Sequence, residues 1–252
     1  MGKLEFTPMM TRYLIKFTFR ILVFLGILGL HLFSDLELWE LANQPLVHGI
    51  TPMHVLWVIF MVIMLSHIFP GTFRTMALRK AHKEVYQEVE GYSELELLKF
   101  VQNQNVKAWM VMLVWLFANG VIGFLYLMGI FDRSDLLMFT VFFFLCDYIC
   151  ILIFCPFQTC IMKNKCCVNC RIYDWGHFMM FTPMLFIPNF YSWSLFFTSC
   201  VVFLRWEVVY ASHPERFCSG SNQILQCANC KDKTCQVKRR VRSGALKFVK
   251  KK

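Results

Sequence analysis

Cysteine is the residue type in this chain best placed to do chemistry. The 252 residues include 12 cysteines, and eight of them fall in two short polar segments. The first set is Cys160, Cys166, Cys167 and Cys170, and the second is Cys218, Cys227, Cys230 and Cys235. Each set contains a Cys-x2-Cys pair, whose two thiolates can hold one ion from a tight turn. Four such ligands form a tetrahedral zinc site or hold an iron–sulfur cluster.

We therefore predict that the second set binds one metal ion, with the first set as a second or shared site. Zinc is favoured because the basic neighbours Lys231 and Lys233 offset the charge of four thiolates. An iron–sulfur cluster is the alternative cofactor. A further interpretation is that these are free, reactive thiols. Free cysteines are normally buried, however, whereas these lie among polar residues.

Two charged residues inside apolar runs are the second chemical signal. Asp147 lies near the middle of the fourth apolar run, and Arg205 lies at a comparable depth in the sixth. Charged residues in such positions usually face the interior of a helix bundle and mark function. We predict that Asp147 pairs with Arg205. The alternative is that Asp147 is a relay point for protons or ions.

Histidines near the ends of the apolar runs could serve as ligands or relays. His31 with His54, or His67 with His177, lie at matching depths, as ligation of haem by two histidines requires. Nothing in their spacing is specific, so haem is not expected. Asp174 precedes His177 by three residues, which places both on one helical face. An Asp174-oriented histidine, or a proton relay, is a further hypothesis.

Long apolar runs are the elements that must position these residues. The chain is 57% hydrophobic and only 17% charged, which excludes an ordinary soluble domain. A membrane-spanning helix needs about 20 mostly apolar residues. The pattern predicts an all-α, polytopic bundle over residues 1–211, with spans near 17–33, 53–69, 109–131, 136–157, 172–191 and 193–210. The fifth is the weakest, because Pro183 and Pro188 interrupt it, and we expect a kinked crossing.

The distribution of basic residues predicts the orientation of the bundle. Of the 26 basic residues, 24 lie before or near the start of the first apolar run, or after the second, fourth and sixth runs. The two exceptions are Arg133 and Arg205. Because basic loops resist translocation, both termini and the loops 70–107 and 158–171 should be cytosolic. Residues 212–252 then form a cytosolic, cysteine-rich basic tail. Thiols stay reduced in the cytosol, which favours metal ligation over disulfides.

These features lead to one principal functional hypothesis and two alternatives. The first is a non-enzymatic membrane scaffold or anchor whose cytosolic cap is folded by a metal. The second is a redox component with an iron–sulfur centre, and the third is a small transporter that uses Asp147 and Arg205. The expected partners are the lipid bilayer, anionic headgroups at the basic tail and a cytosolic protein. Nucleic acid is not expected, because membrane orientation already explains the net charge of +10. No nucleotide-binding or hydrolase motif is present.

Overall fold

The computed structural model describes residues 7–34, 36–46, 48–69, 75–164 and 166–241. The last part of the predicted basic tail, 242–252, lies outside these residues. Within them the chain is helical, without strands, and an isolated antiparallel bridge joins Glu88 to Asn222. The α-helices are α1 (Pro8–Phe33), α2 (Leu38–Asn43), α3 (Pro52–Ile68), α4 (Met76–Arg79), α5 (Glu94–Leu127), α6 (Arg133–Leu152), α7 (Gly176–Phe181) and α8 (Phe190–Ser212).

Shorter helical turns connect or extend these helices. A π-helical turn covers Phe157–Met162. Turns of 3-10 helix cover Lys83–Val85, Tyr173–Trp175, Thr182–Phe186, Pro214–Phe217, Gln223–Leu225 and Cys227–Asn229.

Among the described residues, four helices are long and apolar enough to cross a membrane: α1, α5, α6 and α8. Helix α3 is also apolar but has 17 residues. The prediction of an all-helical protein with several membrane-span-like helices is confirmed. Six full spans are not, because the second predicted span is short and the fifth is not a single helix.

Polar caps set where the long helices begin. The Ser93 side chain accepts a hydrogen bond from the backbone N–H of Glu96, which starts α5 as its Ser-x-x-Glu pattern predicts. The helix then continues without a break into the third apolar run. Thr7 and Pro8 start α1 in the same way, well before residue 17, where the first apolar run begins. Arg20 therefore lies in the interior of α1.

The fifth predicted span is a chain of three short helical pieces, here called the broken segment (residues 173–187). Its pieces are Tyr173–Trp175, α7 and Thr182–Phe186, the last with Pro183 in its first turn. The segment packs against α5, α6 and α8, and Phe181 and Met184 are each 2% exposed. Irregular backbone at membrane depth is tolerated where protein surrounds it, and this packing provides that shelter.

A layer of short segments covers one end of the bundle, where α1 and α5 begin and α3, α6 and α8 end. This end layer comprises residues 75–93, 166–172 and 213–241. Backbone hydrogen bonds join its parts: Val89 N–H donates to Ser221 O at 3.1 Å, and Gln223 N–H donates to Gln87 O at 2.8 Å. The layer thus brings the segments that carry both predicted cysteine sets to the same end of the bundle.

The contact between α5 and the broken segment depends on a glycine. A Cβ at Gly123 would overlap the ring of Phe186, whereas one at Gly120 would meet nothing within 4 Å. Gly123→Ala should therefore lower the free energy of unfolding by about 1–3 kcal/mol, measured by thermal unfolding in detergent. Gly120→Ala is the matched control and should not destabilise. Adding Phe186→Leu to Gly123→Ala should recover part of the loss. Equal melting temperatures for the two alanine variants would disprove the close contact.

Candidate functional site

A polar cavity of about 460 Å³, bordered by exposed residues such as Lys16 and Ser66, lies next to the end layer. Its walls come from α1, α3, α6 and the start of the broken segment. This is where ionisable side chains from distant parts of the sequence meet. Those that line the cavity are Tyr13, Lys16, Arg20, His67, Asp147, Tyr148, Tyr173, Asp174 and His177.

Asp147 is paired with Arg20 in this cavity. The Arg20 guanidinium donates to Asp147 Oδ2 at 2.8 Å and to the Phe144 carbonyl at 2.5 Å. It also lies over the rings of Phe144 and Tyr148, 4.0 Å from each ring centre. The predicted pair of Asp147 with Arg205 is therefore wrong. Arg205 instead donates to the backbone carbonyl of His67 at 2.9 Å.

The second polar pair joins α3 to the broken segment. His67 Nδ1 lies 2.8 Å from Asp174 Oδ1, and the Asp174 residue is only 6% exposed. The ring of His177 lies edge-on to that of His67, with 4.8 Å between their centres. The Asp174 carboxylate thus orients the His67 ring of α3, and not that of His177, three residues further along its own segment.

The same geometry bears on the haem hypothesis. The His67 and His177 rings are in direct contact, which leaves no space for a porphyrin between them. At the other end of the bundle, His31 lies 3.6 Å from Asp135, and His54 Nε2 lies 2.5 Å from the Tyr191 hydroxyl. His31 and His54 therefore face different partners.

A glycine lets the two polar pairs approach each other. A Cβ at Gly176 would lie 2.9 Å from Asp147 Oδ1. Gly176 is thus the point at which the broken segment passes directly beside the Asp147 carboxylate. The cavity consequently combines two carboxylates, two imidazoles and a guanidinium. An imidazole can act as a proton shuttle, and a neighbouring carboxylate orients its ring.

The cysteines predicted as metal ligands are not grouped as the cavity residues are. The described residues, which include all eight predicted cysteines, contain no group of three or more His, Cys, Asp or Glu side chains that could hold a metal ion. Cys166 and Cys230 do pack against one small apolar cluster around Val168 and Leu225. The two cysteine segments therefore meet through packing. Zinc and iron–sulfur binding stay predictions from the sequence, without a ligand geometry to support them.

A buried lysine holds the first cysteine segment in the end layer. Lys80 is 3% exposed, and its Nζ donates to the carbonyls of Val168 and Cys170, both at 2.8 Å. Burial lowers the pKa of Lys80 to about 7, against an opposing effect of the nearby Cys170 and Cys166 thiols. Lys80 therefore loses its proton near neutral pH while it stays hydrogen-bonded.

The pKa of Lys80 gives the end layer a pH-dependent stability. Between pH 7 and 10.5 the unfolded chain holds a proton on Lys80 that the folded chain releases, so stability should rise with pH across this window. The free energy of unfolding of the wild type, relative to that of Lys80→Met, should rise by up to about 1.4 kcal/mol per pH unit. Thermal unfolding at a series of pH values measures this difference. Exposed Lys83 supplies the control, since Lys83→Met should leave the pH profile unchanged. A flat difference between wild type and Lys80→Met would refute this account.

The Arg20–Asp147 pair predicts energetic coupling between α1 and α6. Asp147→Asn or Arg20→Gln alone leaves one charge without its partner, which should cost about 2.5–3.5 kcal/mol of stability in detergent. The double variant should recover much of that loss, because no orphaned charge remains. Asp147→Asn combined with Arg205→Gln is the matched control and should be additive. Coupling to Arg205 and not to Arg20 would contradict the observed geometry.

Sequence reasoning missed Arg20, Tyr13 and Tyr173 as cavity residues. Tyr13 and Tyr173 share a hydrogen bond of 3.1 Å between their hydroxyls. Arg20 carried a usable signal, since it lies within the first apolar run, where a charge needs a partner. Comparison of the chain with protein-family models, curated proteins and solved structures gives no match, so the site is interpreted from its own geometry.

Proposed function

We propose that the protein translocates protons across a membrane, and that His67, Asp174 and His177 are the groups that take up and release the proton. The observation that carries this proposal is the meeting of His67, Asp174, His177 and Asp147 in one cavity. Ionisable residues inside membrane-embedded helices are costly, and they characteristically mark ion pathways and proton relays.

The broken segment supports the same function. Discontinuous helices are common at the binding sites of transporters, where freed backbone and side-chain groups face the transported ion. Here the break places Asp174 and His177 at the start of the segment, opposite His67 of α3. Gly176 between them leaves space for the Asp147 carboxylate. The proton site thus lies at the junction of a complete helix and an interrupted one.

A second polar station lies at the opposite end of α3. His54 contacts the Tyr191 hydroxyl, and Trp57 Nε1 donates to Ser194 Oγ at 2.7 Å. His54 and His67 are separated by about 20 Å along the helix, most of the thickness of a hydrocarbon core. Helices α3 and α8 pack against each other between the two stations. We propose that protons enter near one histidine and leave near the other.

The orientation of this pathway follows from the basic residues. With both termini on the cytosolic side, as the positive-inside rule favours, the end layer and the His67 station face the cytosol. The basic residues at the end of the chain would then lie near anionic lipid headgroups. In this proposal the end layer is the cytosolic entrance to the pathway.

Proton translocation is favoured over a metal-folded scaffold because the proposed proton-carrying residues meet in one cavity. The predicted cysteine ligands form no such group among the described residues. The proposal retains Asp147, which the transporter hypothesis had named. The partner of Asp147 is now Arg20, and not Arg205. The His67–Asp174 pair with His177 is then the group that exchanges protons.

Proton flux into liposomes tests the proposal. Purified protein is reconstituted with a pH-sensitive dye inside, and a potassium ionophore imposes a membrane potential. Wild type should acidify the lumen, and Asp174→Asn or His67→Gln should slow this by at least about tenfold, since each removes a member of the relay. His31→Gln, which alters a His–Asp pair outside the cavity, should conduct as wild type does. Flux equal to that of protein-free liposomes would overturn the proposal.

A further inference from the structure

A second cavity of about 390 Å³, here called the apolar cavity, lies between α5, α6 and the broken segment. Small-molecule sites in proteins occupy about 300–1,000 Å³, so this cavity has the size of a small one. Its walls are mainly apolar. They include the side chains of Trp115, Phe143, Phe154, Phe157, Met179 and Met180.

One wall of the apolar cavity is a row of aromatic rings with fixed positions. The centre of the Trp115 ring lies 4.8 Å from that of Phe143 and 6.1 Å from that of Phe157. Trp115 Nε1 also donates to Thr182 Oγ1 at 3.2 Å, which holds the indole in place. Phe143 and Ile151, both in the wall, are about 12 Å apart along α6. The wall is therefore long enough to accommodate an extended hydrocarbon chain.

The end of the apolar cavity nearest the end layer is polar and carries a cation. Gln158 and Cys167 line the cavity there, and both are buried. The Lys238 ammonium donates to Gln158 Oε1 at 2.6 Å and to Cys167 Sγ at 2.8 Å. An ammonium has three N–H donors, so these two contacts leave a third that a ligand oxygen can accept from.

The other charge in the wall does not favour a cationic ligand. Asp147 borders the apolar cavity, but its carboxylate is already paired with the Arg20 guanidinium of the polar cavity at 2.8 Å. The charge of Lys238 therefore biases the apolar cavity towards an anion. Phe154, a wall residue that is 51% exposed, places one side of the cavity at the outer surface of the bundle, where a ligand could enter from lipid.

We propose that the apolar cavity binds a single-chain anionic amphiphile of the fatty-acid class, with its carboxylate at Lys238 and its chain along the aromatic wall. The carboxylate gains a charge-assisted hydrogen bond from the ammonium. A hydrocarbon chain is equally well accommodated by lipid, so the head group supplies the selectivity. Binding does not depend on the proposed proton pathway, although Asp147, Tyr173 and Gly176 border both cavities.

Photo-crosslinking in nanodiscs of zwitterionic lipid tests the proposal. The probe is decanoate with a diazirine at the far end of its chain, used at a pH of about 9 so that the acid is ionised. Peptide mass spectrometry then maps the labelled residues. Labels should appear at Phe143, Met179 and Met180, the wall residues of α6 and the broken segment that lie deepest in the bundle.

Competition by unlabelled amphiphiles of the same chain length tests the role of charge. Decanoate should suppress these labels at concentrations at least about tenfold lower than decyltrimethylammonium, because only the anion is stabilised by Lys238. Lys238→Met should remove this preference, and Lys238→Arg should retain it. Lys231→Met changes an exposed lysine of the same end layer outside the apolar cavity, and it should behave as wild type. The comparison in wild type needs no substitution, so misfolding of a variant cannot decide the result.

Three outcomes would overturn the proposal. The first is equal competition by the anionic and cationic amphiphiles. The second is labelling confined to side chains on the outer surface of the bundle. The third is labelling that anionic phospholipid in the nanodisc abolishes but free decanoate does not, since a bilayer lipid would then be the occupant.

Discussion

Backbone polar groups that lack helical partners must be sheltered from lipid, and this constraint shapes the centre of the bundle. The broken segment interrupts its backbone ladder twice within residues 173–187, so it can exist at membrane depth only inside protein. Helices α5, α6 and α8 surround it, and Gly123 allows α5 to come close. The polar cavity lies against the start of this segment, where Tyr173, Asp174 and His177 contribute to its walls.

The chain accommodates its buried charges in two physically different ways. Within the bundle, the Arg20 guanidinium meets the Asp147 carboxylate, a side chain of opposite sign. In the end layer, Lys80 is held by two backbone carbonyls and has aromatic rings nearby. Carbonyl oxygens accept hydrogen bonds from an amine in either protonation state. An ion pair, by contrast, loses most of its electrostatic stabilisation when one member is neutralised. The bundle and the end layer should therefore respond differently to pH.

Sequence reasoning identified the elements better than the contacts between them. Long apolar runs and the Ser93 cap predicted the long helices because they are local signals, readable from hydrophobicity and spacing. The partner of Asp147 was misassigned because depth was judged from the apolar run beginning at residue 17, whereas α1 begins at Pro8 and carries Arg20 inward. Asp174 was paired with His177 by spacing along the chain, whereas its carboxylate contacts His67 of a different helix, a tertiary contact that local spacing does not reveal. The cysteine spacing allowed a four-ligand site, but side-chain positions across two segments are set by tertiary packing.

The position of Arg20 also has a consequence for how the protein is made. Its partner Asp147 lies 127 residues further along the chain. At a synthesis rate of about 5–20 residues per second, Arg20 waits roughly 6 to 25 seconds before that carboxylate emerges. Only 6% of the most apolar window of α1 is buried in the finished bundle. During this interval the Arg20 guanidinium is without its carboxylate, and the arrival of α6 completes the pair.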